Sequence, residues 1–516
     1  MLHGDLLGER ARLLPDKTAL VEVATSARYT YADLDARAVA AARVLREGLG
    51  LAKGDRFGLL AGNRVEFLDL FFGAPKAGVV LVPLGTRLTP HELAHVVRDS
   101  GMSGLLYEKS FNETVDGLRR LAPVEPAVVL DGPAPPGERS WAELVSAVPP
   151  RPAWRRETCL PEEPYALLYT SGTTGPPKGV VIPNRMVAWN GYNTVACWQL
   201  REDDVSPIFT PLYHAGGLGA FLVPIVTIGG TIVLHRGFDP GEVWRTIERE
   251  RCTVVLGVPT IWKLLMEAPE FQTVDLSHVR WLISGGAPLP EYIIEAYQAR
   301  GVVFKQGYGL TEVGVNCFAM TALDSVRKKG SIGKPLMFTE ARLVDGEGRE
   351  VPTGEVGELL LRGPHVSRGY WRNPEATAAA LDKGGFFHTG DLARRDGEGF
   401  FSIAGRRKDM LISGGVNVYP AEIEAELLLY PGVEDAAVVS APDPTWGEIA
   451  VAFVVPRSGA SLNGTGLAAH LEKRLARYKV PKVWVFVDGL PRTPYGKVVK
   501  GELQARYAAG RKEKPE

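Results

Sequence analysis

Apolar positions recur along this chain at two spacings, and the two alternate. Across residues 31–46, Leu34, Ala38, Ala41 and Leu45 repeat at intervals of three and four, which predicts an amphipathic helix. The apolar run Arg56–Leu60 that follows predicts a short strand, and residues 79–83 and 127–130 predict two more. A helical pattern over 241–250 leads into another β-rich run at 251–258 (RCTVVLGV). Such alternation, through roughly the first three hundred residues, predicts an α/β body with largely parallel sheets. Residues 132–164 are rich in proline and read as a loop-bearing connection between subdomains. From Glu340 the texture changes: 341–344, the Asp345-Gly346 pair and 358–362 predict short antiparallel strands joined by tight turns.

After Gly405 two amphipathic helical stretches, 421–430 and 467–476, interleave with strand-like runs at 436–440, 450–455 and 483–487, which predicts a small α+β domain. The terminal stretch 511–516 (RKEKPE) is charged and is expected to be disordered. At 516 residues the chain exceeds what one hydrophobic core supports, so at least two domains are expected. Its hydrophobic content of 45%, charged content of 23% and formal charge of -1 are those of an ordinary globular protein. Near-neutrality argues against nucleic acid as a partner, which needs a concentrated basic surface. The cysteines Cys159, Cys197, Cys252 and Cys317 are far apart and are expected to be reduced, buried side chains rather than a disulfide frame or a zinc site.

The N-terminus has acidic residues inside its apolar pattern and reads as neither a signal nor a transit peptide. The most apolar stretch, 221–234, is broken by Pro224 and by Gly229-Gly230, so no transmembrane segment is expected. A cytoplasmic location follows as the expectation. Peripheral membrane contact and a homodimer are left open.

Candidate chemistry concentrates at 169–180, YTSGTTGPPKGV, directly after the apolar residues 165–168. Gly172, Gly175 and Gly179 let the backbone take turns closed to residues with a Cβ, so that N–H groups can converge on an anion. Ser171, Thr173 and Thr174 add hydroxyls, and Lys178 adds a mobile positive charge. This reads as a phosphate-handling loop. It is not a Walker A loop, because Lys178 is followed by Gly179 and not by a hydroxyl residue.

Six further segments stand in order behind it: 211–217 (PLYHAGG), 284–290 (SGGAPLP), 306–312 (QGYGLTE), 389–392 (TGDL), 405–424 (GRRKDMLISGGVNVYPAEIE) and 491–497 (PRTPYGK). Together the seven resemble the adenylate-forming superfamily of acyl-CoA synthetases, 4-coumarate-CoA ligases, firefly luciferase and peptide-synthetase adenylation domains. Within it the chain looks most like a bacterial fatty-acid–CoA ligase. The resemblance implies a large N-terminal domain, residues 1–407, of mixed, mostly parallel sheets flanked by helices plus a distorted β-barrel subdomain. A small mobile α+β C-terminal domain, 408–516, would follow, with the hinge at Lys408.

The same resemblance assigns roles. Phosphate binding falls to Thr170, Ser171, Gly172, Thr173, Thr174, Gly175 and Lys178. Tyr308, flanked by Gly307 and Gly309, would stack on adenine against Gly286, Ala287 and Pro288, with Gln306 and Thr311 completing the nucleotide site. Glu312 and Thr170 would hold Mg2+, because a carboxylate near triphosphate oxygens is useful only through a metal. Asp391 would accept the ribose hydroxyls, with Arg406 beside it. Lys497 would offset charge on the α-phosphate, and Ser413, Gly414 and Gly415 would pass the arm of CoA. His214 is expected to position the acid carboxylate; that carboxylate is already ionised at neutral pH and needs no base.

The acid pocket is expected around 189–192, 213–218, 257–259 and 309–315, with Tyr213, Gly217, Gly285, Gly309 and Gly314 as its named positions. Its small and apolar residues favour an uncharged tail. Gly309 stands where acetate-activating relatives resemble one another in having tryptophan, so the pocket is not closed down for acetate. Gly217 and Leu218 stand where long-chain enzymes have a gating tryptophan, which disfavours very long chains. The expectation is therefore an ATP- and CoA-dependent ligase for a medium- or long-chain fatty acid, releasing AMP and pyrophosphate. An aryl or phenylpropanoid acid is the second choice. A luciferase-like oxygenase, an adenylation domain serving a carrier protein and a non-catalytic nucleotide sensor remain as other classes.

Overall fold

The structure is a computed structural model that describes residues 5–148, 154, 156–170, 176–287, 289–413, 416–493 and 496–512. By compactness the chain divides into two units. One comprises Met1–Gly286, Glu295–Ala341 and Leu361–His388, the other Ala287–Ile294, Arg342–Leu360 and Thr389–Glu516. Lys408 thus lies within the second unit, and 342–360 and 389–407, expected in the large domain, group with that unit.

Among the described residues the first unit holds three sheets of three or more strands, beside the two-stranded pair Phe318–Ala319 and Lys334–Pro335. The largest has seven strands, in the order Arg139–Ser140, Ala127–Val129, Leu105–Tyr107, Arg56–Leu60, Val80–Pro83, Pro164–Thr170, Lys178–Pro183. All neighbours are parallel except the last pair. Its alternate residues point to opposite faces. Phe57, Leu59, Leu81 and Leu106 enter one apolar cluster, while Leu60, Val80, Val82, Leu105 and Tyr107 enter another. Burial on both faces is why these strands read as continuous apolar runs. A second sheet orders Val205–Ile208, Thr231–Leu234, Thr18–Glu22 and Arg28–Thr30, and a third sets Val254–Gly257, Trp281–Ser284 and Phe304–Gln306 in parallel.

Helices form where caps and apolar stripes coincide. Tyr31–Arg43 starts at a capping box, in which the Asp33 N–H donates to the Thr30 hydroxyl at 3.1 Å and the Thr30 N–H donates to the Asp33 carboxylate at 2.9 Å. Winding continues as a π turn over Val44–Gly48. The proline-rich connection departs from expectation, because Arg139–Ser140 is a strand and Trp141–Ser146 a helix. Burial of Trp141 and Leu144, 5% and 2% exposed, outweighs the local turn composition. The apolar stretch 221–234 is divided as expected, Gly229 (φ 86) ending helix Val223–Ile228 before strand Thr231–Leu234. Among the described residues no helix is long and apolar enough to cross a membrane.

A four-stranded sheet runs in sequence order through Glu340–Val344, Val356–Arg362, Phe387–Arg395 and Phe401–Arg406. In the second unit Val433–Asp443 pairs antiparallel with Gly447–Pro456, which also pairs parallel with Val483–Phe486. Helices Pro420–Leu428 and Gly464–Glu472 cover the sheet through Ile423, Leu427, Leu467 and Leu471. The final helix runs Lys500–Lys512, so the first two residues of the expected disordered tail are helical. All four cysteines are free; Cys197 is half-buried and the other three are buried.

Candidate functional site

The antiparallel pair Pro164–Thr170 and Lys178–Pro183 places Thr170 directly opposite Lys178. Val180 and Leu168, Val181 and Leu167 face each other behind them, buried, so the register is held by apolar side chains. A distant segment then docks on the outer strand. The Val181 N–H donates to the Gly369 carbonyl (2.9 Å), and the Trp371 N–H donates to the Gly179 carbonyl (2.7 Å). This sets Tyr370 beside the lysine, whose Nζ lies 5.3 Å from the ring centroid.

The Tyr370 hydroxyl donates to Glu312 Oε1 at 3.1 Å. Burial first, and then the Glu312 charge, raise the phenol pKa, so the proton stays on oxygen and the bond keeps its direction. Glu312 rides on the single 3-10 turn Thr311–Val313, and its carbonyl accepts from the Ser367 N–H at 2.8 Å. Lys178, paired with Thr170, and Glu312 thus both meet Tyr370, a residue the sequence motifs did not single out. His95 adds a tether, its Nε2 lying 2.9 Å from the Pro177 carbonyl and so carrying the hydrogen. For magnesium the chemistry of the donor set fits, since a carboxylate and a hydroxyl are the hard oxygen ligands that ion takes. Among the described residues no cluster of three or more His, Cys, Asp or Glu could hold a metal without a ligand's help.

The three parallel strands end level, with Gly257, Ser284 and Gln306 in register. The loops beyond them leave together: the Gly285 N–H donates to the Gly257 carbonyl (3.2 Å) and the Gly307 N–H to the Ser284 carbonyl (2.7 Å). Carboxyl ends of parallel strands are where open α/β sheets bind ligands. Gly286 (φ 84) and Ala287 are exposed here. Tyr308, half-buried, meets Phe318 edge-on at 5.7 Å.

The next turn is tightly wound. Gly314 (φ 85) is followed by Val315 (φ 62), a β-branched residue in a region that such residues rarely adopt. A Cβ on Gly309 would lie 2.1 Å from the Val315 carbonyl oxygen. At the other wall, the His214 carbonyl accepts from the N–H groups of Gly217 (3.0 Å) and Leu218 (3.2 Å), and Gly216–Leu222 winds as a π turn. A Cβ on Gly217 would lie 2.3 Å from the Pro211 carbonyl oxygen. The rings of Tyr213 and His214 sit 4.6 Å apart.

Between these walls is a cavity of about 40 Å³. Ala215, Leu218, Gly219, Gly314 and Val315 line it together with Phe71, Met186 and Asn190. Of the five named pocket positions only Gly314 lines it. Gly309 and Gly217 instead make room for main chain, and Gly285 has nothing closer to its Cβ position than the Gly307 carbonyl oxygen at 4.0 Å.

In the second unit Asp391, 4% exposed, faces Arg406 across a strand pair, with Arg406 Nε 2.8 Å from Asp391 Oδ1. Lys408 follows in the turn closed by the Asp409 N–H donating to the Arg406 carbonyl (3.0 Å). Ser413 is buried opposite Val416 and Gly447. Lys497 is exposed on a loop whose ends are joined by the Thr493 N–H donating to the Lys497 carbonyl (2.7 Å), and its own N–H donates to the Thr493 hydroxyl (3.2 Å). The expected site residues Ser171, Gly172, Thr173, Thr174, Gly175, Pro288, Gly414 and Gly415 lie outside the described residues.

Parallel sheets with level strand ends, followed by an α+β unit, form the architecture of an adenylate-forming enzyme. Residues 7–371 match the family described as AMP-binding enzyme and residues 422–497 its C-terminal domain, so the chain belongs to the AMP-binding enzyme family. It is 42% identical over 500 residues to a feruloyl-CoA synthase of Amycolatopsis sp, covering 96% of this chain and 97% of that one. It is 38% identical over 507 residues to the long-chain-fatty-acid–CoA ligase FadD13 of Mycobacterium tuberculosis, covering 98% of each. The crystal structure of ATP-bound MatB from Rhodopseudomonas palustris superposes with a TM-score of 0.89 at 33% identity, covering 98% of this chain and 99% of that one. The protein is an acid–thiol ligase of the AMP-forming acyl-CoA synthetase type.

Proposed function

We propose that this ligase activates a carboxylic acid with an uncharged tail, an aryl or phenylpropanoid acid before a long-chain one. The observation that carries the reading is the lining of the cavity, which contains no Lys or Arg. A second carboxylate there would be buried without a partner, at a cost of several kcal/mol by order of magnitude. Similarity to the feruloyl-CoA synthase points the same way. A medium- or long-chain fatty acid is the second reading, favoured by the apolar lining and by the similarity to FadD13.

In this scheme Thr170, Lys178 and the 171–175 segment hold the phosphates, Tyr308 with Gly286, Ala287 and Pro288 holds adenine, and Asp391 with Arg406 holds the ribose. Gln306, Gly307, Gly309 and Thr311 complete the nucleotide site. Glu312 and Thr170 would hold magnesium, which supplies charge neutralisation on the phosphates. The acid, steered by His214, attacks the α-phosphorus through a carboxylate oxygen, and the bond to pyrophosphate breaks. Lys497 offsets the charge that builds on the α-phosphate oxygens. In the second step the CoA thiolate, guided past Ser413, Gly414 and Gly415, attacks the acyl carbon and AMP leaves. Lys408 is the proposed hinge for the change of step. The test is a panel of aryl, arylalkanoic and straight-chain acids, each assayed for pyrophosphate release with ATP and CoA. Highest kcat/KM on an aryl or phenylpropanoid acid supports the reading, and highest kcat/KM on a long-chain acid replaces it with the second.

A further inference from the structure

Asn63 is buried in the loop between strand Arg56–Leu60 and helix Val65–Lys76, at the carboxyl end of a strand with parallel neighbours on both sides. Its own loop is fixed: the Gly62 N–H donates to Glu108 Oε2 at 3.0 Å, and Arg64 Nε donates to Glu66 Oε2 at 2.7 Å. From there the side chain reaches across to a second sheet, meeting the chain that leaves strand Val205–Ile208. Asn63 Nδ2 donates to the Thr210 carbonyl (3.0 Å), and Asn63 Oδ1 accepts from the Leu212 N–H (2.9 Å). One partner can only accept and the other only donate, so the amide has a single orientation. It pairs with main chain on both sides of Pro211, much as a neighbouring strand would. The Pro211 carbonyl in turn accepts from the His214 N–H at 3.2 Å, and it lies 2.3 Å from where a Cβ on Gly217 would sit. What holds 210–212 therefore holds the turn that carries His214.

We propose that Asn63 is a positioning residue for the acid: it fixes the main chain of 210–212 and, through it, the turn that presents His214 to the acid carboxylate. This rests on the reading of His214 as the group that steers the acid. Thr210 and Leu212 are buried, so a side chain of similar size without the amide leaves a carbonyl and an N–H unpaired, and they regain partners only if the chain moves. The strand pair that carries Thr170 and Lys178 makes neither of the two bonds, so nucleotide binding is spared.

The experiment is a double-mutant cycle on Asn63→Leu and His214→Ala in the full-length enzyme. It is read as kcat/KM for the better of para-hydroxycinnamic and decanoic acids with saturating ATP and CoA, beside the equilibrium Kd for AMP. Asn63→Leu alone should lower kcat/KM about a hundredfold while the AMP Kd stays within about threefold of wild type. In the His214→Ala background the same change should cost about threefold or less, since no imidazole is left to misplace. A tie that served stability alone would lower activity by the same factor in both backgrounds, and that result overturns the proposal, as does wild-type kcat/KM in Asn63→Leu. Should Asn63→Leu not fold, Asn63→Asp takes its place in the cycle; it keeps the acceptor for Leu212, loses the donor to Thr210, and should cost about tenfold. Wild-type kcat/KM in His214→Ala removes the His214 reading and this inference with it. A loss in His214→Ala with equal factors for Asn63 in the two backgrounds removes this inference alone.

Discussion

Replacing Gly309 by alanine adds one carbon where main chain already fills the space. That carbon would lie 2.1 Å from the Val315 carbonyl oxygen, 2.3 Å from its carbonyl carbon and 2.6 Å from its Cα. Nonbonded heavy atoms settle at about 3.5 Å, so the two strands of chain must separate by roughly 1 Å. All three obstructing atoms are main chain, and no rotamer change relieves them. Val315 is already at φ 62, and its N–H donates to the Leu310 carbonyl at 3.0 Å, so a retreat drags the turn that carries Glu312. Overpacking of this kind costs about 1–3 kcal/mol. A displacement of about 1 Å at a reacting site costs about a hundredfold in rate. Gly285→Ala is the control, because its Cβ would meet nothing nearer than 4.0 Å, and it should stay within about 0.5 kcal/mol of wild type. The assay is acid-dependent exchange of labelled pyrophosphate into ATP, alongside melting midpoints. Wild-type exchange by Gly309→Ala together with loss in Gly285→Ala would refute the reasoning.

Lys497→Ala should lower adenylation by about 10²–10³-fold while leaving thioester formation from supplied acyl-adenylate within a few fold, measured as acyl-CoA produced; equal loss of both steps contradicts the assigned role. Tyr370→Phe removes the donor to Glu312 at 3.1 Å and should raise the magnesium concentration for half-maximal rate about tenfold. An unchanged magnesium titration would separate Tyr370 from the metal site. Burial, and secondarily Arg185, lower the His365 pKa from 6.5 to about 4. Between those values the unfolded chain binds the proton and the native one does not, so stability present above 6.5 is lost as pH falls toward 4. By pH 5 the loss is about 2 kcal/mol. The melting midpoint of His365→Gln should therefore fall less steeply than wild type over that window, and parallel curves count against the assignment.

What was legible in the sequence depended on how local its cause is. Arg56–Leu60 is read to the residue because a strand buried on both faces is apolar throughout. The helix starting at Tyr31 declares itself through Thr30 and Asp33, three residues apart. Trp141–Ser146 does not, since its one turn exists through the burial of Trp141 and Leu144 amid prolines. Tyr370 is set in place by hydrogen bonds to a strand far away in the chain, a pairing that its local run Arg368-Gly369-Tyr370-Trp371-Arg372 does not declare. The pocket glycines show a different limit. A glycine in a sequence announces that space is needed without saying for what, and at Gly217 and Gly309 the space is taken by main chain.

The pairing of Thr170 with Lys178 carries an implication for how such enzymes diversify. Side chains alternate sides along a strand, so a one-residue insertion or deletion in either strand would turn the hydroxyl or the ammonium toward the apolar interior. Lineages descended from a common ancestor of this architecture should therefore tolerate indels at exposed bends and almost none in these two strands. Drift in what the enzyme acts upon is then confined to side-chain replacement elsewhere, while this strand pairing is inherited intact.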